Sequence, residues 1–318
     1  MLLVVTPTPP DSPNGNGVTA RRWAAILRDL GHRVDVSEEY RAGSYRALIA
    51  LHAVKSAAAV LSFHADHPGV PIVIGLTGTD LYPSLAQTGV DPAVLELASR
   101  IVVLQPDGIS QVPPSLRTRT QAIFQSMPTI APVPPRDDCF EVAFLAHIRP
   151  VKDPLLLADA VGYLPASSRI KITHAGEGRD PALAAQIAVA CATSDRYDWL
   201  GPLPREQALA LLARSRLLAV TSVHEGGANV VTESLALGVP VVSSAIAGSI
   251  GILGPGYPGY FRPGDARDLA RVLHAAEEDH DGCYQALQER CTALRPLADP
   301  ARERDAWASL MAGIGVVP

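Results

Sequence analysis

Lysine is nearly missing from this chain: Lys55, Lys152 and Lys171 are the only three among 27 basic residues. Where arginine supplies almost all positive charge, a lysine marks a place that wants a compact ammonium. A basic excess is missing too. The formal charge of −5 and a pI near 6.0 exclude the basic stripe of a nucleic-acid binder and the polybasic patch of a membrane anchor. Cysteine is scarce, and Cys139, Cys191, Cys283 and Cys291 form no CxxC pair. That argues against a metal cluster or a disulfide framework and points to a reduced, cytoplasmic setting. No apolar run approaches the ~20 residues of a membrane span. Met1–Val5 lacks a basic flank and a cleavage site, so it reads as a first strand and not as a signal peptide.

What is present is a succession of strand, turn and helix over 318 residues, enough for two domains of about 150. Residues 1–125 read as one α/β domain and 139–296 as a second. Between them, Ser126–Asp138 holds four prolines in thirteen residues, the composition of a stiff linker with few hydrogen bonds. The tail from 297 carries Trp307 and Leu310 at helical spacing.

The most informative stretch is His224–Val242. The apolar run Leu217–Val220 is a buried strand, Gly226 and Gly227 allow close backbone approach, and Ala228–Leu237 reads as a helix closed by Gly238 and Pro240. The free N–H groups and positive dipole end of such a helix suit an anion, most commonly a diphosphate. Glu225 precedes the helix and Glu233 lies inside it. Each carboxylate has two acceptor oxygens for a vicinal diol, as found in a sugar and in a ribose.

Other turns follow the same plan. Strand Leu2–Thr6 leads through the loop Pro13–Gly17, with Asn14, Gly15, Asn16 and Gly17, into a helix over Val18–Leu30. That loop serves equally as a ligand loop or a plain turn. His52 and Lys55 follow strand Ala47–Leu51, and Thr77, Gly78 and Thr79 follow strand Pro71–Leu76, at strand ends where open α/β sheets bind ligands. His147, Arg149 and Lys152 lie between strand Glu141–Leu145 and a helix beginning at Pro154. A cation there opposes the helix dipole unless an anion lies between them. Ala247–Gly259 reads as a loop, and Asp279-x-Asp281 as a solvated turn, so neither a metal nor another cofactor is expected.

The Glu225-x7-Glu233 stretch resembles the donor signature of family 4 glycosyltransferases, which have the GT-B fold: two Rossmann-like domains with parallel sheets facing across a cleft. The resemblance implies that Glu225 faces the donor sugar, that Gly226, Gly227, Ala228 and Asn229 meet its phosphates, and that Glu233 takes the ribose. The turn at Lys152 resembles the family's Gly-Arg-Leu-x-x-x-Lys motif, whose cations hold the diphosphate and stabilise the leaving nucleotide. Here His147 stands where that Arg is expected, so either a protonated His147 or Arg149 replaces it. Leu203 falls just after the aromatic-Leu-Gly segment that reads the base. Thr77 stands where the family often has a His. The tail is expected to cross back onto the first domain.

A narrower likeness spans NGNGVTARRWAAILRDLGHRV, ALHAVKSA, LTGTDLY, AHIRPVKDP and GSIGILGPGYPGYF. These segments look like the selenosugar synthases of selenoneine biosynthesis. That implies a UDP-sugar donor, UDP-N-acetylglucosamine above all, and selenophosphate as acceptor. Asn14–Gly17, His52, Lys55 and Thr77–Thr79 would then hold a small dianion. Its selenium is already anionic and needs no general base.

Overall fold

The computed structural model describes residues 1–12, 14–128 and 133–318, so Pro13 and part of the proline-rich linker lie outside the described residues. The chain forms two compact units. One comprises Met1–Ser126, Glu225–Asn229 and Pro300–Pro318, and the other Met127–His224 and Val230–Asp299.

In the first unit, strands β1 (Leu2–Val5), β2 (Val34–Ser37), β3 (Ala47–Leu51), β4 (Ile72–Leu76), β5 (Arg100–Val103) and β6 (Thr120–Ala122) form one sheet in the order β2-β1-β3-β4-β5-β6. Every pairing is parallel. Leu2–Val5, Ala47–Leu51 and Ile72–Leu76 are buried at every position, as strands covered on both faces must be. In the second unit, β7 (Phe140–Leu145), β8 (Ile170–Ala175), β9 (Tyr197–Trp199), β10 (Leu217–Val220), β11 (Val241–Ser244) and β12 (Tyr260–Phe261) form another parallel sheet, in the order β12-β11-β10-β7-β8-β9. Each sheet reverses its strand order once, between β1 and β3 in the first and between β7 and β10 in the second. Loops beyond the carboxyl ends of the strands flanking such a reversal form a ready-made ligand crevice.

The first unit's core gathers around Trp23 and Trp307, both fully buried, with ring centroids 4.8 Å apart in an edge-to-face arrangement. Trp23 lies on the helix Gly15–Asp29 and Trp307 on the C-terminal helix Pro300–Gly313, so that helix closes this core with Leu310 and Met311. The sheet yields to the indole: a Cβ on Gly75 would lie 2.8 Å from the Trp23 ring.

Three local readings differ from expectation. The first helix begins at Gly15 because Asn14 Oδ1 accepts the Gly17 N–H at 3.0 Å and caps it. Ala247–Leu253 is a helix, ended by Gly254 at φ 86°, because Ser249, Ile252 and Leu253 bury one face despite the glycines. The described flanks of the linker are hydrogen-bonded: Met127 N donates to Ala298 O at 3.1 Å, and Arg136 N to Arg214 O at 3.2 Å. Non-proline residues there still carry donors.

Candidate functional site

In the second unit the turns after β7 and β10 are tied together. Thr221 Oγ1 donates to Lys152 O at 2.7 Å, and Val223 N donates to Val151 O at 2.9 Å. The Lys152 turn is therefore fixed at the reversal point of the sheet. Pro150–Lys152 forms a 3-10 turn, Asp153 turns the chain at φ 42°, and Pro154 opens the helix Pro154–Val161. Arg149 and Lys152 are half-buried.

The same turn is pinned from below by His174, which is fully buried. Tyr197 Oη lies 3.0 Å from His174 Nδ1 and Ala146 O lies 2.8 Å from Nε2. A carbonyl can only accept, so Nε2 carries the proton and Nδ1 accepts from the tyrosine. Burial pushes His174 down to about 4 and keeps it neutral. Gly176 presses against the same carbonyl: a Cβ there would lie 1.8 Å from Ala146 O.

His147 differs from one expected role. Its Nδ1 accepts the Glu177 N–H at 3.1 Å, and burial followed by the charge of Arg179 pushes its pKa down to about 4. A neutral ring supplies no cation, so the permanent charges of this turn are Arg149 and Lys152. Nε2 of His147 keeps a proton that can be donated.

Glu233, on the helix Asn229–Leu237, is buried, and Arg205 Nη2 lies 2.7 Å from its Oε1, an ion pair without hydrogen-bond alignment. The carboxylate expected to take the ribose thus already has a cationic neighbour. Sequence reasoning missed Arg205, which begins the helix Arg205–Arg214 two residues after the half-buried Leu203. Asp279 and Asp281 both adopt positive φ, and Asp279 Oδ1 accepts the Tyr284 N–H at 2.8 Å, a local turn contact.

In the first unit, Glu225 and Asn229 are half-buried and Gly226, Gly227 and Ala228 are buried. A Cβ on Gly226 would lie 2.6 Å from Thr77 O, and one on Gly227 2.5 Å from Leu104 Cβ. The loop thus rests directly on backbone beyond β4 and β5, an approach only glycine permits. Gly15 also lies near it, with an added Cβ 3.9 Å from Asn229 Nδ2.

The residues beyond β3 and β4 form one network around Asp80, which is fully buried. Its Oδ1 accepts the N–H groups of Thr77 at 2.9 Å and Gly78 at 2.8 Å, and its Oδ2 that of Ala53 at 2.9 Å. Those amides are engaged internally, so Thr77 and Gly78 seat the Gly226 loop and do not offer these N–H groups to a ligand. His52, in a left-handed conformation at φ 70°, places Nε2 3.0 Å from Thr79 Oγ1. Burial lowers its pKa, with Lys55 adding to the effect against the opposing pull of Asp80. Lys55 and Thr79 are exposed, Asn16 is half-buried, and Gly17 is buried with its N–H engaged by Asn14. A Cβ on Gly17 would lie 2.4 Å from Ser12 O.

Comparison with known proteins fits this construction. Residues 129–293 match the family model "Glycosyl transferases group 1". The D-inositol 3-phosphate glycosyltransferase of Mycolicibacterium smegmatis is 32% identical over 154 residues, 47% of this chain and 33% of that protein. The enzyme of the same name from Mycobacteroides abscessus is 36% identical over 110 residues, 34% of this chain and 25% of that protein. The matches thus span a third or less of these relatives. Among solved structures, Anabaena Alr3699/HepE in complex with UDP-glucose aligns with TM-score 0.77 at 15% identity, covering 98% of this chain and 99% of that one. A glycosyltransferase from Rickettsia africae ESF-5 aligns with TM-score 0.75 at 12% identity over 98% of each chain. At such identities the structural likeness speaks for the fold, which is GT-B. Because the family model covers just over half of the sequence, this chain belongs to the glycosyl transferases group 1.

Proposed function

We propose that the protein transfers a sugar from a UDP-sugar, UDP-N-acetylglucosamine in the first instance, to selenophosphate. The observation that carries the donor half is the Lys152 turn, tied by Thr221 to the turn beyond β10 at the reversal point of its sheet. As the anomeric C–O bond breaks, its electron pair moves onto the β-phosphate, and fixed cations stabilise that charge by several kcal/mol. Arg149 and Lys152 supply the charge, and the neutral His147 donates from Nε2. Glu225 faces the sugar, and Gly226–Asn229 lie along the diphosphate. Glu233 takes the ribose after Arg205 shifts or shares it, and Leu203 lies by the base. The naming of HepE complexes with UDP and with UDP-glucose supports a UDP-sugar.

On the acceptor side, Asn16, Lys55 and Thr79 supply the cation and polar groups for a small dianion, with His52 holding Thr79. A selenium lone pair attacks the anomeric carbon while the bond to UDP breaks. Water then cleaves the P–Se bond, leaving the selenosugar and phosphate. No general base is required, because the selenium is already anionic. The relatives named for D-inositol 3-phosphate favour a second reading, transfer to a hydroxyl of a small phosphorylated polyol. UDP release, measured with each acceptor over a panel of UDP-sugars, separates the two. Release that depends on selenophosphate supports the first, and release only with a phosphorylated polyol overturns it. Lys152→Ala is expected to lower kcat about 100-fold; unchanged release by that variant contradicts the donor assignment.

A further inference from the structure

Arg22 lies on the helix Gly15–Asp29 with its side chain 14% exposed. Its guanidinium nitrogens meet different surroundings. Nε donates to Glu303 Oε1 at 3.2 Å, and Nη1 donates to Asn229 Oδ1 at 3.0 Å. Nη2 is buried and meets no acceptor. Glu303, on the C-terminal helix, is 2% exposed and also accepts from Trp23 Nε1 at 3.2 Å, Ser126 N at 2.7 Å and Ser126 Oγ at 2.6 Å. Three donors besides Arg22 therefore fix this carboxylate, which serves as a rigid socket.

From that socket Arg22 reaches Asn229, the first residue of the helix Asn229–Leu237 and the residue after Gly226–Ala228. That loop is the one seated on Thr77 and Leu104. A guanidinium serving only to neutralise Glu303 would need no contact with Asn229. Nor would it gain from a buried N–H left without an acceptor, which costs stability. A planar fork that engages a carboxylate and a neighbouring amide together holds the two in a set relation, which a lysine cannot do.

We propose that Arg22 is a positioning residue for the donor: held by Glu303, it fixes Asn229 and through it the Gly226–Ala228 loop. This rests on the donor reading given above. The test is a double-mutant cycle of Arg22→Met and Asn229→Ala in the full chain, reading UDP affinity by calorimetry alongside Tm. Arg22→Met is expected to weaken UDP binding about tenfold, as for a hydrogen bond to a charged group. The double variant is expected to bind no more weakly than the poorer single one. Arg22→Lys keeps the charge beside Glu303 but not the fork, so Tm is expected near wild type with UDP affinity still reduced. This variant decides the matter if Arg22→Met does not fold. Additive losses, or full UDP affinity in Arg22→Lys, overturn the proposal and leave the donor reading standing. A wild-type chain that binds no UDP overturns both.

Discussion

Gly176 and His174 meet at one carbonyl, that of Ala146, and together set the turn that carries Arg149 and Lys152. The three atoms nearest a methyl group at Gly176 are all backbone, which cannot swing away as a side chain can. Gly176→Ala is therefore expected to cost about 3 kcal/mol, the upper range for overpacking, and to lower transfer activity as the turn moves. Chemical denaturation together with UDP release checks both. His147 and His174 predict an acid limb. Both are pushed from 6.5 down to about 4 in the folded protein, so the unfolded chain binds more protons between those values. Stability is complete above about pH 6.5 and falls as pH drops toward 4. His174→Gln should flatten that fall in denaturation curves taken at a series of pH values; an unchanged slope would contradict the assignment. Not all of this was legible in sequence. Lys152 stood out because lysine is rare, whereas Arg22 and Arg205 were hidden among many arginines, with partners far along the chain in Glu303 and Glu233.

At the scale of elements, the strands could be read because they are short apolar runs buried on both faces: β3 and β10 begin and end where the sequence put them. Helices with a weak apolar stripe could not. Cys283–Leu294 buries only Leu287 and Cys291 and gave no signal, and the glycines of Ala247–Leu253 masked a buried face that only tertiary packing selects. The C-terminal helix was marked by Trp307, and the structure shows why that residue matters: it fills the first unit's core against Trp23. Trp307→Ala is expected to destabilise that unit by about 3–5 kcal/mol. Because Glu303 shares the helix and holds Arg22, the same variant should also weaken UDP binding, measurable by calorimetry.

At the scale of the whole molecule, the loops at Asn14–Gly17, His52–Lys55, His147–Lys152 and Glu225–Asn229 follow the strands that flank the reversal in each parallel sheet, the place where such sheets form a ligand crevice. The charge stabilising the leaving diphosphate is assigned to Arg149 and Lys152, so UDP release is expected to persist when EDTA is present throughout the assay. No helix among the described residues is long and apolar enough to cross a membrane. The measurement that tests the central claim most directly is UDP release from UDP-N-acetylglucosamine with and without selenophosphate, with mass spectrometry of the sugar product. Selenophosphate-dependent release and a sugar carrying selenium on its anomeric carbon are predicted. Release that ignores selenophosphate and yields only an oxygen-linked product would contradict the account.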